Sequence, residues 1–455
     1  MISGTPPDHR AQIESEAESV YQRAMAALKS ERAVIVVRAP PGSGKTYLLS
    51  RMVRALRDKK KRIAIAAQTN AQADDICHRL AAEPWNLSSY RFVRHGGGMD
   101  IPVQQVTEVS KFDDLPHGPC ITVATSSKWG FVEMGSIFDV LLVDEAWQMQ
   151  WSQFVPLGRV ASRFVLIGDP GQIPPVVAVD ASRWETTQLP PHLPAPEIIC
   201  SNPIILADVE PLELQLPASR RLPSDAVSLL QPFYDFPFAA WALPSERAVL
   251  ANGRVAEPVD RAINLLAEGS VVALTSPTAD DLPPADMDEE IADLAVQVAA
   301  RLIERNAKVR ILDDGARKPE RAIRPQDIGI TATHRVMNEL IAARIRSSQG
   351  LREIRVDTPE RWQGLQRLVT IAVHPLSGVL RPSAFDLETG RLCVMASRHQ
   401  AGLIIVGRDH IGDTLNQIIV GADQPIGRPD VSGRGHFQHL TFWNCLEANK
   451  RVVSL

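Results

Sequence analysis

Two hydrophobic patterns alternate along the chain: short runs in which nearly every residue is apolar, and longer segments with helical spacing. In the first half, the continuous runs are 34–37, 63–66, 121–124, 140–143 and 164–167. In the second half, they are 271–274, 328–331, 368–373 and 403–406. A strand that is apolar at every position is buried on both faces. The pattern therefore predicts α/β domains, each with a parallel sheet covered by helices on both faces.

A change in composition separates the two series of predicted strands. Residues 174–217 contain nine of the 34 prolines of the chain. We therefore predict two α/β domains, 11–212 and 213–455, joined near residue 212. The first domain would include a small irregular excursion at 84–118 and the Pro-rich segment at 174–212.

Length, charge and cysteine content narrow the class of protein. The net charge of −4 over 455 residues means that any nucleic-acid contact must use a local groove rather than overall charge. The five cysteines occur singly, which argues against a metal knuckle and indicates a reducing compartment. We find no signal peptide and no apolar run near the ~20 residues of a membrane span. These features predict a cytoplasmic protein with no membrane partner.

A glycine-rich loop at 39–46, Ala-Pro-Pro-Gly-Ser-Gly-Lys-Thr, follows the apolar run 34–37 and precedes a helical pattern. This context is typical of a phosphate-binding loop, in which backbone N–H groups and a helix N-terminus surround phosphate oxygens. Lys45 would reach the β- and γ-phosphates, and the Thr46 hydroxyl would bind Mg²⁺. The residues predicted to form the rest of the cradle are Pro41, Gly42, Ser43 and Gly44.

Two adjacent carboxylates end the apolar run 140–143. The carboxyl ends of parallel strands lie beside a phosphate loop, where such sheets bind their ligands. Asp144 would therefore hold Mg²⁺, and Glu145 would orient and deprotonate the attacking water. The cofactors predicted on these grounds are ATP and Mg²⁺.

The next apolar run ends in Gly-Asp-Pro-Gly-Gln-Ile-Pro-Pro at 168–175. This segment resembles the third motif of superfamily 1 helicases. Residues 39–46 resemble the first motif of that family, and Asp-Glu-Ala-Trp-Gln at 144–148 resembles the second. The resemblance is closest to the Upf-like branch. The resemblance implies two RecA-like domains with the ATP site in the cleft between them. It also implies that Gln172 senses the γ-phosphate and that Gln22 reads adenine.

Further segments resemble the family's nucleic-acid contacts. The residues concerned are Thr69 and Asn70 (motif Ia), Thr125 and Ser126 (motif Ic), His334 and Arg335 (motif IVa), and Thr358 (motif V). The resemblance implies that they contact the backbone of a single strand, DNA or RNA, which positions a strand without reading its sequence. For the first four residues, capping at strand ends is the alternative.

Residues 219–223 and 394–398 resemble motifs IV and VI, which implies that Arg221 and Arg398 are arginine fingers. Gly364, in the Gln-Gly-Leu-Gln of motif V, would lie at the nucleotide. Two residues depart from the family's pattern. Arg220 replaces the tyrosine that stacks on the base, and its planar guanidinium could stack there instead. The neutral Gln366 replaces an acidic residue.

Two functions fit these motifs. The first is a monomeric, ATP-driven translocase or helicase that moves 5′→3′ along a single strand, the polarity being implied by the resemblance alone. The second is a non-unwinding regulatory ATPase or clamp that has a protein partner in a larger complex. The 84–118 excursion is too short for the family's stalk-and-barrel insertion, which favours the second. A third function, a metabolite kinase built on the phosphate loop, would not explain the 168–175 segment or the two predicted arginine fingers, Arg221 and Arg398.

Overall fold

The computed structural model describes residues 7–30, 33–132, 137–177, 181–184, 187–253, 257–278, 286–313, 316–317, 319–417 and 431–455. Part of the predicted Pro-rich segment, 178–180 and 185–186, therefore lies outside the described residues. The chain forms two compact units. The first unit is Ala11–Pro170 with Pro174–Pro217, and the second is Ala218–Leu455 with Gly171–Ile173 and the described residues up to Arg10.

The first half of the chain alternates strands and helices as the apolar runs predict. Its elements are α1 (Pro7–Ala27), β1 (Val34–Arg38), α2 (Lys45–Asp58), β2 (Ile63–Ala67), α3 (Asn70–Ala81), β3 (Ser89–Phe92), β4 (Val106–Val109), β5 (Ile121–Thr125), α4 (Ser126–Trp129), β6 (Val140–Val143), α5 (Trp151–Phe154), β7 (Phe164–Gly168), α6 (Ala195–Ser201), α7 (Pro203–Asp208) and β8 (Leu212–Gln215).

Among the described residues of the first unit, these strands form one parallel sheet in the order β4-β3-β5-β2-β6-β7-β1-β8. Alternate residues of each strand face opposite cores. Ile35 and Val37 pack with Leu49 and Met52 of α2, whereas Val36 packs in a core that contains Trp129. Helices therefore cover both faces of the sheet, which confirms the prediction for this unit.

The prediction of an irregular excursion at 84–118 is wrong at two places. Residues Ser89–Phe92 and Val106–Val109 are strands that extend one edge of the sheet. Both strands contain polar residues, so neither forms an apolar run in the sequence. At the other edge β8 pairs with β1, so the first sheet continues beyond residue 212.

The second half of the chain contains the remaining elements. They are β9 (Ala218–Pro223), α8 (Ser224–Leu230), β10 (Ala239–Ala242), β11 (Arg247–Leu250), α9 (Pro258–Leu265), β12 (Val271–Ser276), α10 (Glu289–Glu304), β13 (Lys308–Asp313), β14 (Ala316–Arg317), β15 (Arg321–Ala322), β16 (Ile328–Thr331), α11 (Arg335–Ser347), β17 (Arg355–Asp357), α12 (Pro359–Trp362), β18 (Arg367–Val373), α13 (Thr389–Ala396), β19 (His399–Arg408), α14 (Ile411–Gln417), α15 (Val431–Ala448) and β20 (Val452–Ser454).

The main sheet of the second unit is also parallel, in the order β17-β16-β18-β19-β12-β20 over the described residues. Val272 and Leu274 face a core shared with α9, α10 and α11, and Val271 and Ala273 face one shared with α8, α13 and α15. Each unit is thus a parallel sheet with helices on both faces, as in RecA-like domains, and the predicted fold class is confirmed. No helix in the described ranges is long and apolar enough to cross a bilayer.

Candidate nucleotide site and nucleic-acid contacts

The phosphate loop joins β1 to the N-terminus of α2. Gly42 and Gly44 have φ values of 70° and 90°, a backbone conformation that residues with a Cβ atom rarely adopt. The loop is fixed by hydrogen bonds from the Ser43 N–H to the Pro40 carbonyl (3.1 Å) and from the Ala39 N–H to the Gly168 carbonyl (2.8 Å). Within the described chain, the Ser43 hydroxyl oxygen is buried and has no hydrogen-bond partner. A buried hydroxyl without a partner and a helix N-terminus fit a phosphate group.

Lys45 and Glu145 form a two-pronged ion pair. The Lys45 Nζ lies 2.8 Å from each carboxylate oxygen of Glu145, and both side chains are nearly buried, at 12% and 13% exposure. Glu145 has left-handed backbone dihedrals, φ 50° and ψ 46°, an unfavourable conformation for a residue other than glycine. Such strain is concentrated at functional sites.

Asp144 lies at the end of β6, where its Oδ1 accepts a hydrogen bond from the Glu145 N–H (3.0 Å). Burial and the neighbouring Glu145 charge raise the pKa of Asp144 to about 6, against the opposing effect of Lys45. Asp144 and Thr46, in the first turn of α2, are the oxygen donors that would hold Mg²⁺. The described residues contain no group of three or more His, Cys, Asp or Glu side chains that could hold a metal. The donor set of one carboxylate and one hydroxyl fits Mg²⁺, which usually takes one or two carboxylates and completes its shell with water and substrate phosphates.

Gln22 lies on the exposed side of α1 and donates to Glu18 at 2.7 Å. Glu18 in turn pairs with Arg51 of α2, and this bond lowers the pKa of the Glu18 carboxyl. The predicted role of Gln22 in reading adenine stays a prediction.

Both predicted arginine fingers lie beside Ser397 in the second unit. Arg221 donates to the Ser397 carbonyl at 3.0 Å and to the Gln366 side-chain oxygen at 2.9 Å. Arg398 is 1% exposed and donates to the Ser397 hydroxyl at 2.8 Å and to the Val394 carbonyl at 3.0 Å. Gln366, noted in the sequence only as a departure, is therefore a direct partner of Arg221.

Arg220 is exposed, and its guanidinium carbon lies 4.4 Å from the ring centroid of Trp241 in β10. No sequence signal pointed to Trp241. Base stacking by Arg220 stays a prediction and would use the guanidinium face opposite the indole. Of the other nucleotide residues, Gln172 is 8% exposed within Gly171–Ile173, and Gly364 has a φ of 77°.

The predicted nucleic-acid residues of the first unit lie at the carboxyl ends of β2 and β5. Thr69 caps α3 by accepting from the Gln72 N–H at 3.2 Å, and Thr125 caps α4 by accepting from the Lys128 N–H at 3.2 Å. The Asn70 side-chain oxygen accepts from Arg91 at 3.0 Å, and the Ser126 hydroxyl donates to Gln68 at 3.2 Å. Thr69 and Thr125 therefore cap helices, which is the alternative role considered for them from the sequence. Their contact with a nucleic-acid phosphate stays a prediction.

The corresponding residues of the second unit lie at the carboxyl ends of β16 and β17. His334 precedes α11, and its ring centroid is 5.5 Å from that of Phe385. Arg335 is 81% exposed and pairs with Glu339 at 2.9 Å. Thr358 precedes α12. The exposure of Arg335 leaves it accessible to a phosphate.

The first half of the chain is similar to a known protein family. Residues 19–187 match the AAA domain family. The DNA replication ATP-dependent helicase/nuclease dna2 of Schizosaccharomyces pombe is 31% identical over 148 residues, 30% of this chain and 10% of that protein. DNA2 of Saccharomyces cerevisiae is 30% identical over 154 residues, 31% of this chain and 10% of that protein. Over about a third of its length, the chain is similar to superfamily 1 helicases.

This similarity covers the phosphate loop, the carboxylate pair and the 168–175 segment, but only about a tenth of the length of the two relatives. Among solved structures, the arterivirus nonstructural protein 10 helicase aligns with 87% of this chain and 64% of its own at 16% identity and a TM-score of 0.43. The PRRSV helicase aligns with 85% and 55% at 15% identity and a TM-score of 0.42. In superfamily 1 terms, motifs I to III lie in the matched region and motifs IV to VI lie outside it.

Proposed function

We propose that this chain is an ATPase stimulated by single-stranded nucleic acid, and that hydrolysis moves it 5′→3′ along the strand. The observation that carries the proposal is the Lys45–Glu145 ion pair between the phosphate loop and the end of β6. The pair supports the proposal because the cation that would bind the phosphates and the carboxylate that would act as the base lie within reach of the same phosphate group.

Each residue then has a defined task. The loop 41–44 and Lys45 hold the phosphates, and Thr46 and Asp144 hold Mg²⁺, which when bound neutralises phosphate charge. Once Lys45 binds the phosphates, Glu145 is free to orient water and take its proton. Arg221 and Arg398 would neutralise the charge that develops on the transferring group, from the opposite side of the predicted cleft.

The alternative, a non-unwinding regulatory ATPase, is favoured by one observation. Strands β3 and β4 extend the sheet within 84–118, so that stretch of the described chain forms part of the RecA-like unit rather than an accessory domain. Such a protein would bind and release a strand without separating duplexes, within a larger complex.

The test is ATP turnover in Mg²⁺ with oligo-dT, oligo-rU or no oligonucleotide, followed by strand separation on duplexes with a 5′ or 3′ tail. Stimulation by either polymer supports the ATPase, and DNA is the first to test because the named relatives are DNA replication helicases. Separation of 5′-tailed duplexes supports the motor, and stimulation without separation supports the alternative. Turnover that is the same with and without oligonucleotide contradicts both.

A further inference from the structure

The Gln72 side chain in α3 uses its two ends for different partners. Its Oε1 accepts from the N–H groups of Gln68 and Thr69, both at 3.1 Å, and so fixes the start of α3. Its Nε2 donates to the side-chain oxygen of Gln148 at 3.2 Å. A helix cap needs only the first set of bonds. The second links the predicted nucleic-acid residues to the segment that follows the catalytic carboxylates.

Gln148 continues this link towards the nucleotide site. Its backbone N–H donates to the Glu145 carbonyl at 2.9 Å, and Glu145 binds Lys45 through its carboxylate. A continuous series of hydrogen bonds within the first unit therefore runs from Lys45 through Gln148 and Gln72 to Thr69. We call Gln72 and Gln148 the glutamine bridge.

Coupling requires more than contact, because the connecting element must have two arrangements that both sites influence. The nucleotide end has two, since Glu145 is bound to Lys45 in this structure and must be released when Lys45 binds phosphates. At the bridge itself, the Nε2 groups of Gln148 and Gln68 are buried and have no hydrogen-bond partner in the described chain. A buried donor without a partner is unfavourable, so another arrangement of these amides can compete with this one.

We propose that the glutamine bridge couples the two sites: release of Glu145 by nucleotide changes the start of α3, and a strand bound at Thr69 and Asn70 in turn favours that release. Linkage makes the effect on binding affinities reciprocal. Gln72 and Gln148 are positioning residues, since they touch neither substrate in this scheme. The inference rests on the proposed function.

The test is a double-mutant cycle of Gln72→Leu, Gln148→Leu and the double variant, which isolates the bond between the two side chains from the helix-capping role of Gln72. The readout is the ratio of ATP turnover with saturating oligonucleotide to turnover without it. The affinity for the oligonucleotide is also measured with and without a non-hydrolysable ATP analogue.

We expect Gln148→Leu to lower the stimulation ratio by about two- to tenfold, the factor that one neutral hydrogen bond supplies. The analogue should also change oligonucleotide affinity less than in the parent, and the double variant should resemble Gln72→Leu alone. Gln150→Leu is the matched control, because Gln150 donates to the Val176 carbonyl at 3.0 Å, outside the bridge. It should keep the parental ratio.

A parental ratio in Gln148→Leu, or losses that simply multiply in the double variant, would overturn the inference and leave the proposed function intact. If oligonucleotides do not stimulate the parent, the proposed function fails. The glutamine bridge is then tested by measuring hydrogen exchange of the backbone amides at 69–73 with and without the ATP analogue. An analogue-dependent change in exchange that is present in the parent and lost in Gln148→Leu supports it. The same change in both chains overturns it.

Discussion

Glu145→Gln should bind ATP more tightly than the parent while failing to hydrolyse it. Under the proposed function, ATP would compete in the parent with the Glu145 carboxylate for Lys45, whose Nζ contacts both carboxylate oxygens at 2.8 Å. Glutamine has nearly the same shape but offers Lys45 one neutral acceptor instead of a charged pair. The substitution therefore weakens the bond that must break on binding, and it removes the base.

The size of the effect follows from the two kinds of bond. A hydrogen bond to a charged group contributes about 1 kcal/mol more than a neutral one, even with Lys45 and Glu145 only partly shielded from solvent. One kcal/mol corresponds to roughly fivefold in affinity. We therefore expect the dissociation constant for ATP to fall about fivefold and turnover to become undetectable.

Equilibrium titration with a fluorescent ATP analogue measures the affinity, and phosphate release measures turnover. Asp139→Asn is a matched control, because it makes the same change in the Lys61–Asp139 pair (2.9 Å), away from the phosphate loop. Lys45→Ala should lose both nucleotide affinity and hydrolysis. Unchanged or weaker affinity in Glu145→Gln would show that the ion pair does not compete with ATP, and parental turnover would show that Glu145 is not the base.

Further predictions concern the second unit. Arg221→Ala and Arg398→Ala should each reduce ATP turnover by on the order of 10³–10⁵, with far smaller changes in nucleotide affinity. Comparable losses in turnover and in affinity would show that the arginines bind the ground state instead. Arg220→Ala should weaken ATP and GTP binding alike by roughly a few-fold to thirtyfold, for a cation–π term of ~0.5–2 kcal/mol, and unchanged affinity for both would exclude stacking on the base. Burial lowers the pKa of His439 to about 3 and, with nearby histidines, that of His374 well below its usual value. Since the folded pKa values lie below the unfolded ones, both histidines stabilise the fold fully above about pH 6.5. That stability is lost as pH falls, and the part from His439 falls by ~1.4 kcal/mol per pH unit as pH drops towards 3. A urea midpoint that stays constant from pH 7 to pH 5 would contradict this.

The buried strands could be predicted from the sequence because they are apolar at nearly every position. Strands β3 and β4 lack that signal because they carry polar residues. In β3, for example, Arg91 is buried only because it pairs with Asp74 at 2.7 Å and binds Asn70. That pairing joins residues far apart in the chain, and no local pattern reports it.

The candidate site divides in the same way. The spacing of the motifs predicted that the phosphate loop and the carboxylate pair lie together at the carboxyl ends of the strands of the first sheet, and Lys45 and Glu145 meet there. It did not predict that the two side chains bind each other directly. Nor did it predict that Trp241 lies against Arg220. Both are side-chain contacts between residues remote in sequence, which depend on tertiary packing.

The contact between Arg221 and Gln366 gives a physical meaning to the departure from the family's pattern. A glutamate at 366 would hold Arg221 through a charge-assisted bond, about twice as strong as the neutral bond of 2.9 Å that Gln366 makes. An arginine finger must leave such a partner when the phosphoryl group develops charge. The neutral residue therefore makes Arg221 easier to release, just as the strong carboxylate pair makes Lys45 harder to release. Under the proposed function, the Lys45–Glu145 pair would oppose phosphate binding, and Gln366 would hold Arg221 back from the transition state less strongly than an acidic residue would.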